Sequence, residues 1–184
     1  MAITTINNRA INRADTAASG ESWTATSATA SDFQAAGANT PAFHAYLGSN
    51  QTSISGNVNV KVSIDTEILD TDSNFASNRF TPTTAGKYFI YANIVAEFDT
   101  DKLFIIRPKI YKNGSVVVAA DSDFADNSIS MMSAYVSTIV DMNGSSDYVE
   151  FYTKIDRYGG GTTTGTFYGG SEQKSYFGGY KLIT

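Results

Sequence analysis

The stretch RFTPTTAGKYFIYANI, Arg79 to Ile94, joins a turn to a long apolar strand. We expect Phe80 to anchor the end of one strand, Pro82 to fix the turn through its restricted φ, and Gly86 to give the backbone freedom before the next strand. From Tyr88 onward, apolar side chains occupy both alternating sets of positions. Such a strand would pack one face into a core and turn the other toward neighbouring subunits. The stretch therefore indicates architecture and not a ligand loop.

Composition extends this interpretation to the rest of the chain. The 184 residues include 21 Thr, 15 Ile and 10 Val but only four Leu, and they include no cysteine. Branching at Cβ restricts side-chain rotamers in a helix and suits a pleated sheet, so this bias predicts an all-β protein. The absence of cysteine excludes disulfides, thiol catalysis and cysteine-based zinc sites.

Turn signals divide the chain into about eight to ten strands with no helical period. Residues 58–64, VNVKVSI, alternate as a single strand, and Asn113-Gly114 predicts a hairpin between residues 103–111 and 116–118. Pro108 would place that first strand at an edge or a bulge. A second Asn-Gly pair, at 143–144, precedes the expected return strand 147–155. This spacing predicts a sandwich or a jelly roll.

The first 39 residues differ from the remainder, which predicts an arm at 1–39 and a folded domain at 40–184. Residues 1–40 hold 22 Ala, Ser or Thr and no lysine, and their aromatic residues are Trp23 and Phe33 alone. Such a segment cannot bury a core of its own, so it is either a disordered tail, which the sequence alone favours, or an extended attachment arm that partner chains hold; we expect the arm. Trp23 and Phe33 are its candidate contacts.

Charge and hydropathy argue against three classes of protein. The net charge is −5 with no run of clustered basic residues, so we expect no nucleic-acid partner. No apolar run approaches the ~20 residues of a membrane span, so we expect no membrane insertion. The N-terminus also lacks the pattern of a secretory signal.

Five segments together resemble a known family in the order in which that family carries them. The family is that of the trimeric jelly rolls related to the globular head of complement C-one-q and to tumour necrosis factor. The matching segments are TPAFHAYL (40–47), NVKVSIDTEILDTDSNF (59–75), NRFTPTTAGKYFIYANI (78–94), STIVDMNGSSDYVEFY (137–152) and YFGGYKLI (176–183).

The resemblance implies a jelly-roll β-sandwich of the tumour-necrosis-factor type, assembled as a homotrimer. Strand tyrosines are then candidates for subunit contacts, and we name Tyr91, Tyr152 and Tyr180. The chain departs from the family at 144–147, where Gly-Ser-Ser-Asp replaces the usual Gly-Asp and lengthens the turn. No collagen-like tract precedes the domain.

A second resemblance concerns the arm. Residues 17–36, AASGESWTATSATASDFQAA, resemble the Gly-Gln-x-Leu-Thr…Phe-Gln unit of bacteriophage tail-fibre and virion-surface proteins, with Glu21 and Trp23 in place of Gln and Leu. It implies a virion protein that is made in the host cytoplasm and held by other virion proteins through its arm. Two functions remain open: a tail-fibre adhesin that binds a host-surface glycan or protein, and a capsid decoration protein that stabilises the head.

Catalytic signals are weak, so we expect no enzyme. The only histidine, His44, lies on the expected first strand without a nearby serine or aspartate motif. The glycines at 159–161 do not lead into a helix, as a phosphate-binding loop would.

Two further groups are candidates for ligand contact. Asp99, Asp101, Asp121 and Asp123 supply hard oxygen ligands that could hold calcium, although solvated turn carboxylates are the favoured interpretation, and we expect no other cofactor. Near the glycine-rich loop, Tyr158, Tyr168 and Tyr176 could face a ligand; the alternative is that they fill the core or an interface.

Overall fold

The computed structural model describes residues 21–25, 31–35, 38–98, 102–124, 129–159 and 164–183. The chain divides into two compact units, Met1–Ala38 and Asn39–Thr184. Throughout the described residues the regular structure is β, and none of them forms a helix that could cross a membrane. In chain order the strands are β1 (Glu21–Ala25), β2 (Ser31–Ala35), β3 (Ala42–Tyr46), β4 (Gln51–Ser55), β5 (Val60–Lys61), β6 (Thr66–Asp70), β7 (Phe75–Ala76), β8 (Arg79–Phe80), β9 (Gly86–Glu97), β10 (Leu103–Lys112), β11 (Ser115–Ala119), β12 (Ser122–Asp123), β13 (Met131–Met142), β14 (Val149–Arg157), β15 (Thr164–Phe167) and β16 (Tyr176–Lys181).

The first unit contains β1 and β2, which pair antiparallel with Trp23 opposite Phe33. Both segments are extended, as the sequence predicts for an arm, but they pair with each other. The use of residues 1–39 for attachment, through Trp23 and Phe33, stays a prediction.

The second unit consists of two antiparallel sheets. In the first, which we call the β9 sheet, β13 pairs with one edge of β9, and β16 and β15 pair with its other edge. Beyond β16 come β3 and then β6, while β4 lies beyond β15. In the second, the β10 sheet, β10 lies between β14 on one side and β11 and β12 on the other. Beyond β14 come β5, β8 and β7.

The core lies between these sheets and is built from the alternation of long strands. On β9, Tyr88, Ile90 and Ala92 are fully buried, and aromatic rings join the two sheets across the core. Phe43 of β3 stacks on Phe80 of β8 with ring centroids 4.2 Å apart. Burying such rings is the main stabilising term for a chain without disulfides.

The turn before β9 has the roles expected from the sequence. Phe80 is fully buried and packs edge-to-face on Tyr88. Gly86 has φ +149, and a Cβ placed there would lie 2.8 Å from the Lys181 side chain. The Tyr88 hydroxyl donates to the Thr84 carbonyl at 2.6 Å, which closes the turn onto the strand.

The predicted hairpin at Asn113-Gly114 is confirmed. Asn113 and Gly114 have φ +50 and +78, the conformation that a two-residue turn between β10 and β11 requires. Pro108 does not lie in an edge strand, since β10 is flanked on both sides, but the alternative prediction of a bulged strand is met, because the register of β10 against β14 shifts between Leu103 and Ile105. The Pro108 carbonyl accepts a hydrogen bond from the N–H of Ala120, which lies between β11 and β12. Proline has no N–H to donate, and at Pro108 that side of β10 faces a break in the strand pairing.

Two expectations about strands are wrong. Residues 58–64 do not form one strand: only Val60–Lys61 pair, and Val58 is exposed while Val62 and Ile64 are buried. The segment after Asn143-Gly144 does not return beside its predecessor either. β13 pairs with β9 and β14 with β10, so this turn crosses from one sheet to the other.

The side chain of Asn143 closes this crossing turn. The Asn143 side-chain oxygen accepts from the backbone N–H groups of Ser145, Ser146 and Asp147, each at 3.0 Å. An asparagine side chain that accepts from the backbone N–H groups ahead of it stabilises a turn. Asn143 and the Gly-Ser-Ser-Asp segment after it thus form the turn that joins β13 in one sheet to β14 in the other.

Candidate functional site

The outward surface of the β9 sheet is aromatic. It is formed where β13, β9, β16 and β3 lie side by side, and His44 of β3 lies at its margin. We call it the aromatic face; its residues are Phe89, Tyr91, Tyr135, Ile139, Tyr176 and Tyr180. The alternation that buries Tyr88 and Ile90 in the core directs Phe89 and Tyr91 outward.

A glycine makes room for the central ring of this face. A Cβ at Gly178 would lie 2.4 Å from Cζ of Tyr91, so the phenol lies across β16 where a side chain is missing. The Tyr91 hydroxyl thereby reaches Nδ1 of His44 at 3.0 Å, and which group donates depends on the histidine tautomer. Tyr176 packs on both rings, 6.2 Å from Tyr91 and 5.5 Å from His44.

Burial shifts the ionisation of this cluster toward its neutral forms. Burial lowers the pKa of His44 below its ordinary 6.5, because a charged imidazolium is poorly solvated there. Burial, and then the neighbouring phenols of Tyr176, Tyr135 and Tyr180, raise the pKa of Tyr91. The centre of the aromatic face is therefore uncharged at neutral pH.

The exposed part of the face lies mainly on β13. Tyr135 is 49% exposed and Ile139 is 58% exposed, opposite Asn93 and Phe89 of β9. Exposed apolar side chains that lie side by side on a folded domain are typical of surfaces that associate with other molecules. Chemically, it can bury rings against another apolar surface, with the tyrosine hydroxyls free to form hydrogen bonds at the margin.

The three tyrosines that the sequence predicts to form subunit contacts lie on two different sheets. Tyr91 and Tyr180 lie on the aromatic face, and Tyr180 contacts Phe89 at 5.7 Å. Tyr152 lies on the outward surface of the other sheet and packs on Tyr111. Their part in a subunit interface stays a prediction.

The three tyrosines predicted to face a ligand contact different neighbours. Tyr176 belongs to the aromatic face, whereas Tyr158 is 45% exposed and packs edge-to-face on Phe104. Tyr168 lies beneath Lys174, 5.8 Å from its amino group. A hydrogen bond to Glu97, then burial, raises the pKa of Tyr168. A shared ligand for the three remains a prediction.

Two of the four calcium candidates lie within the described residues. Asp121 forms an ion pair with Arg107, and Asp123 lies on β12 instead of in an inter-strand segment. Asp99 and Asp101 lie outside the described residues. The described part of the chain contains no group of three or more His, Asp or Glu side chains placed to hold a metal. Calcium stays a prediction.

Sequence reasoning missed three members of the aromatic face: Tyr135, Ile139 and Phe89. The signal was present in residues 134–142, AYVSTIVDM, where Tyr135 and Ile139 alternate with Ala134 and Val140. The buried set faces the core, so the other set has to face outward.

Comparison with known proteins establishes the fold. No described protein family and no curated protein sequence matches the chain. Among solved structures, the globular domain of zebrafish complement 1qA protein matches 78% of this chain and 98% of that chain at 16% identity, with a TM-score of 0.51. Murine APRIL matches 77% and 98% at 11% identity and a TM-score of 0.53, and Eiger TNF from S. frugiperda matches 77% and 92% at 12% identity and 0.55. The jelly-roll β-sandwich of the tumour-necrosis-factor type is confirmed.

Proposed function

We propose that this protein is a non-enzymatic, homotrimeric jelly-roll module that attaches a bacteriophage particle to its host. The aromatic face is the observation that carries self-assembly. Tyr135 and Ile139 expose about half of their surface beside a half-buried ring cluster, and a second copy of the chain would remove that surface from water. The number three comes from the family resemblance described above.

The attachment role is supported by the arm and by the repetition of one binding site in a trimer. Residues 17–36 resemble a tail-fibre unit, and a trimer would present one weak binding site three times, which raises its avidity for a host surface. Capsid decoration is the alternative. Copies per particle discriminate the two, because a tail adhesin is present as a few trimers and a decoration protein as hundreds.

Self-assembly is tested by a pair of matched substitutions. We expect the wild-type protein to have three times the 19.7 kDa chain mass in solution. Ile139→Glu should give a monomer, because burying an unpaired carboxylate costs about 3–5 kcal/mol at each interface. Light scattering coupled to size exclusion gives the masses.

The control is Ile68→Glu. Ile68 is 52% exposed, close to the 58% of Ile139, but it lies on β6 beside Leu69, which is the residue in register with His44. β6 is separated from β13 by β9, β16 and β3, so Ile68 lies at the far edge of this sheet from the exposed part of the aromatic face. This variant should keep the wild-type mass. A monomeric wild-type protein, or equal dissociation of both variants, would contradict the proposal.

A further inference from the structure

The outward surface of the β10 sheet concentrates positive charge on a chain whose net charge is −5. Four separate strands contribute to it, which is why no basic run is visible in the sequence. We call this surface the basic face; its cations are Lys61, Arg79, Arg107, Lys109 and Lys154.

The strand register places like charges next to each other. Arg107 is directly opposite Lys154, and Lys109 is opposite Tyr152, whose other cross-strand neighbour is Lys61. Like charges directly opposite each other destabilise a strand pair. This arrangement therefore works against the stability of the sheet.

Carboxylates neutralise only part of the basic face. Glu150 accepts from Lys61 at 2.8 Å and from Arg79 at 2.9 Å, and Asp121 pairs with Arg107. Burial alone would raise the pKa of Glu150, but the hydrogen bonds from Lys61 and Arg79 outweigh it and hold that pKa below its ordinary value.

Lys109 and Lys154 have different partners. Each amino group donates to an asparagine side-chain oxygen, Lys109 to Asn59 at 2.8 Å and Lys154 to Asn57 at 2.7 Å. Burial, then the charges of Lys154 and Arg107, lower the pKa of Lys109, and Asp121 opposes this only in part. These two ammonium groups keep an excess of positive charge that an anion would relieve.

Aromatic rings lie among the cations. The rings of Tyr111 and Tyr152 are 4.3 Å apart and tilted by 38°, directly beside Lys109 in the register. At the other end, Arg79 lies 3.8 Å over the ring of Tyr148. The basic face thus combines apolar ring surface with cations at the spacing of neighbouring strands.

We propose that the basic face binds an acidic polysaccharide, with Lys109 and Lys154 pairing with its carboxylates and Tyr111 and Tyr152 supporting its sugar rings. The inference rests on the proposed attachment function, whose ligand it names. The face lies on the opposite sheet from the aromatic face, so assembly through the aromatic face leaves it accessible.

A polysaccharide fits this surface better than a nucleic acid does. Nucleic-acid binding draws on many phosphate contacts, whereas here two cations retain unneutralised charge and the whole chain is negative. A chain of uronic acids presents one carboxylate per sugar, together with an apolar ring face that suits a tyrosine.

The test measures binding of the full-length protein to alginate, to neutral dextran of the same length, and to short single-stranded DNA. Lys109→Gln combined with Lys154→Gln should weaken alginate binding by about tenfold or more, since charge-assisted hydrogen bonds are lost. The control, Lys102→Gln with Lys174→Gln, removes the same charge close to Tyr158 and Tyr168. Thermal unfolding checks that both variants fold.

We expect alginate binding that falls with added salt, no dextran binding, and full affinity in the control. An equal loss in the control would place the ligand near Tyr158 and Tyr168. Tighter binding of DNA than of alginate would identify a nucleic acid as the ligand. Either result overturns the inference, and so does the absence of alginate binding. If the protein assembles and attaches to host cells without binding alginate, only this inference fails. If it binds alginate but not cells, the attachment function fails.

Discussion

The titration of His44 can be used to probe the aromatic face, because His44 is the only histidine in the chain. Tyr91 and Tyr176 pack against its ring, and Leu69 is opposite it on β6. Burial lowers its pKa in the folded protein below 6.5, so below that pH the unfolded chain binds more protons than the folded one. The contribution of neutral His44 to the free energy of unfolding should be fully present above pH 6.5. It should be lost as the pH falls through the pKa of His44 in the folded protein. His44→Gln should flatten this dependence in thermal unfolding between pH 5 and 7.

Parallel curves for the wild type and His44→Gln would contradict that expectation. The carboxylates titrate mainly below this range and are common to both proteins, so they cancel in the comparison.

At the residue scale, the sequence predicts which face of a strand a side chain occupies but not the surroundings of that face. Tyr91 and Tyr180, which the resemblance made candidates for subunit contacts, both lie on the aromatic face. Local alternation places each of them on one face of its strand. It could not separate them from Tyr152, which alternates equally well in the other sheet. Sheet assignment depends on long-range pairing, which a local pattern does not contain.

At the scale of elements, the two Asn-Gly turns show how the same dipeptide serves different connections. Both residues have positive φ at 113–114, whereas at 143–144 only Gly144 does. The first pair forms a hairpin and the second joins two sheets. The sequence predicted both turns, but the partner strand of β13 is β9, whose paired residues lie 34 to 56 positions earlier in the chain, and local turn chemistry cannot specify it.

The same two glycines provide a matched pair of substitutions. Gly144 and Gly114 have φ +71 and +78, so alanine at either costs about 1–2 kcal/mol of backbone strain. A Cβ at Gly144 would also lie 2.2 Å from the backbone nitrogen of Ala85, whereas at Gly114 the nearest atom is the Tyr148 hydroxyl at 3.9 Å. Gly144→Ala should therefore lower the free energy of unfolding by about 1–3 kcal/mol more than Gly114→Ala. Urea denaturation measures both, and equal losses would show that the crossing turn does not pack tightly on Thr84 and Ala85 in the turn before β9.

At the scale of the whole molecule, the fold separates the aromatic face from the basic face, although the strands that form them are interspersed along the sequence. The strands that carry the aromatic face and those that carry the basic face alternate along the chain, yet they end on opposite sheets of one sandwich. The sandwich could be predicted from the β-branched residues and the spacing of the turns, because both reflect the local conformational preferences of the chain. The basic face was not predictable, since Lys61, Arg79, Lys109 and Lys154 are brought together only by strand pairing.

If the protein assembles and binds its ligand as proposed, this separation makes the two independent at the level of one subunit but coupled in the assembled trimer. Ile139→Glu should leave the affinity for a short acidic oligosaccharide unchanged, because Ile139 lies on β13 of the β9 sheet and the basic face lies on the other. On a surface coated densely with alginate, the same variant should bind about 10²-fold more weakly, because a monomer loses the effective concentration that linked sites provide. Calorimetry with the oligosaccharide and biosensor binding to the coated surface measure the two quantities, and Ile68→Glu should match the wild type in both. A parallel loss in both assays for Ile139→Glu would mean that the sandwich transmits the substitution to the basic face, and an unchanged surface affinity would mean that attachment does not depend on assembly.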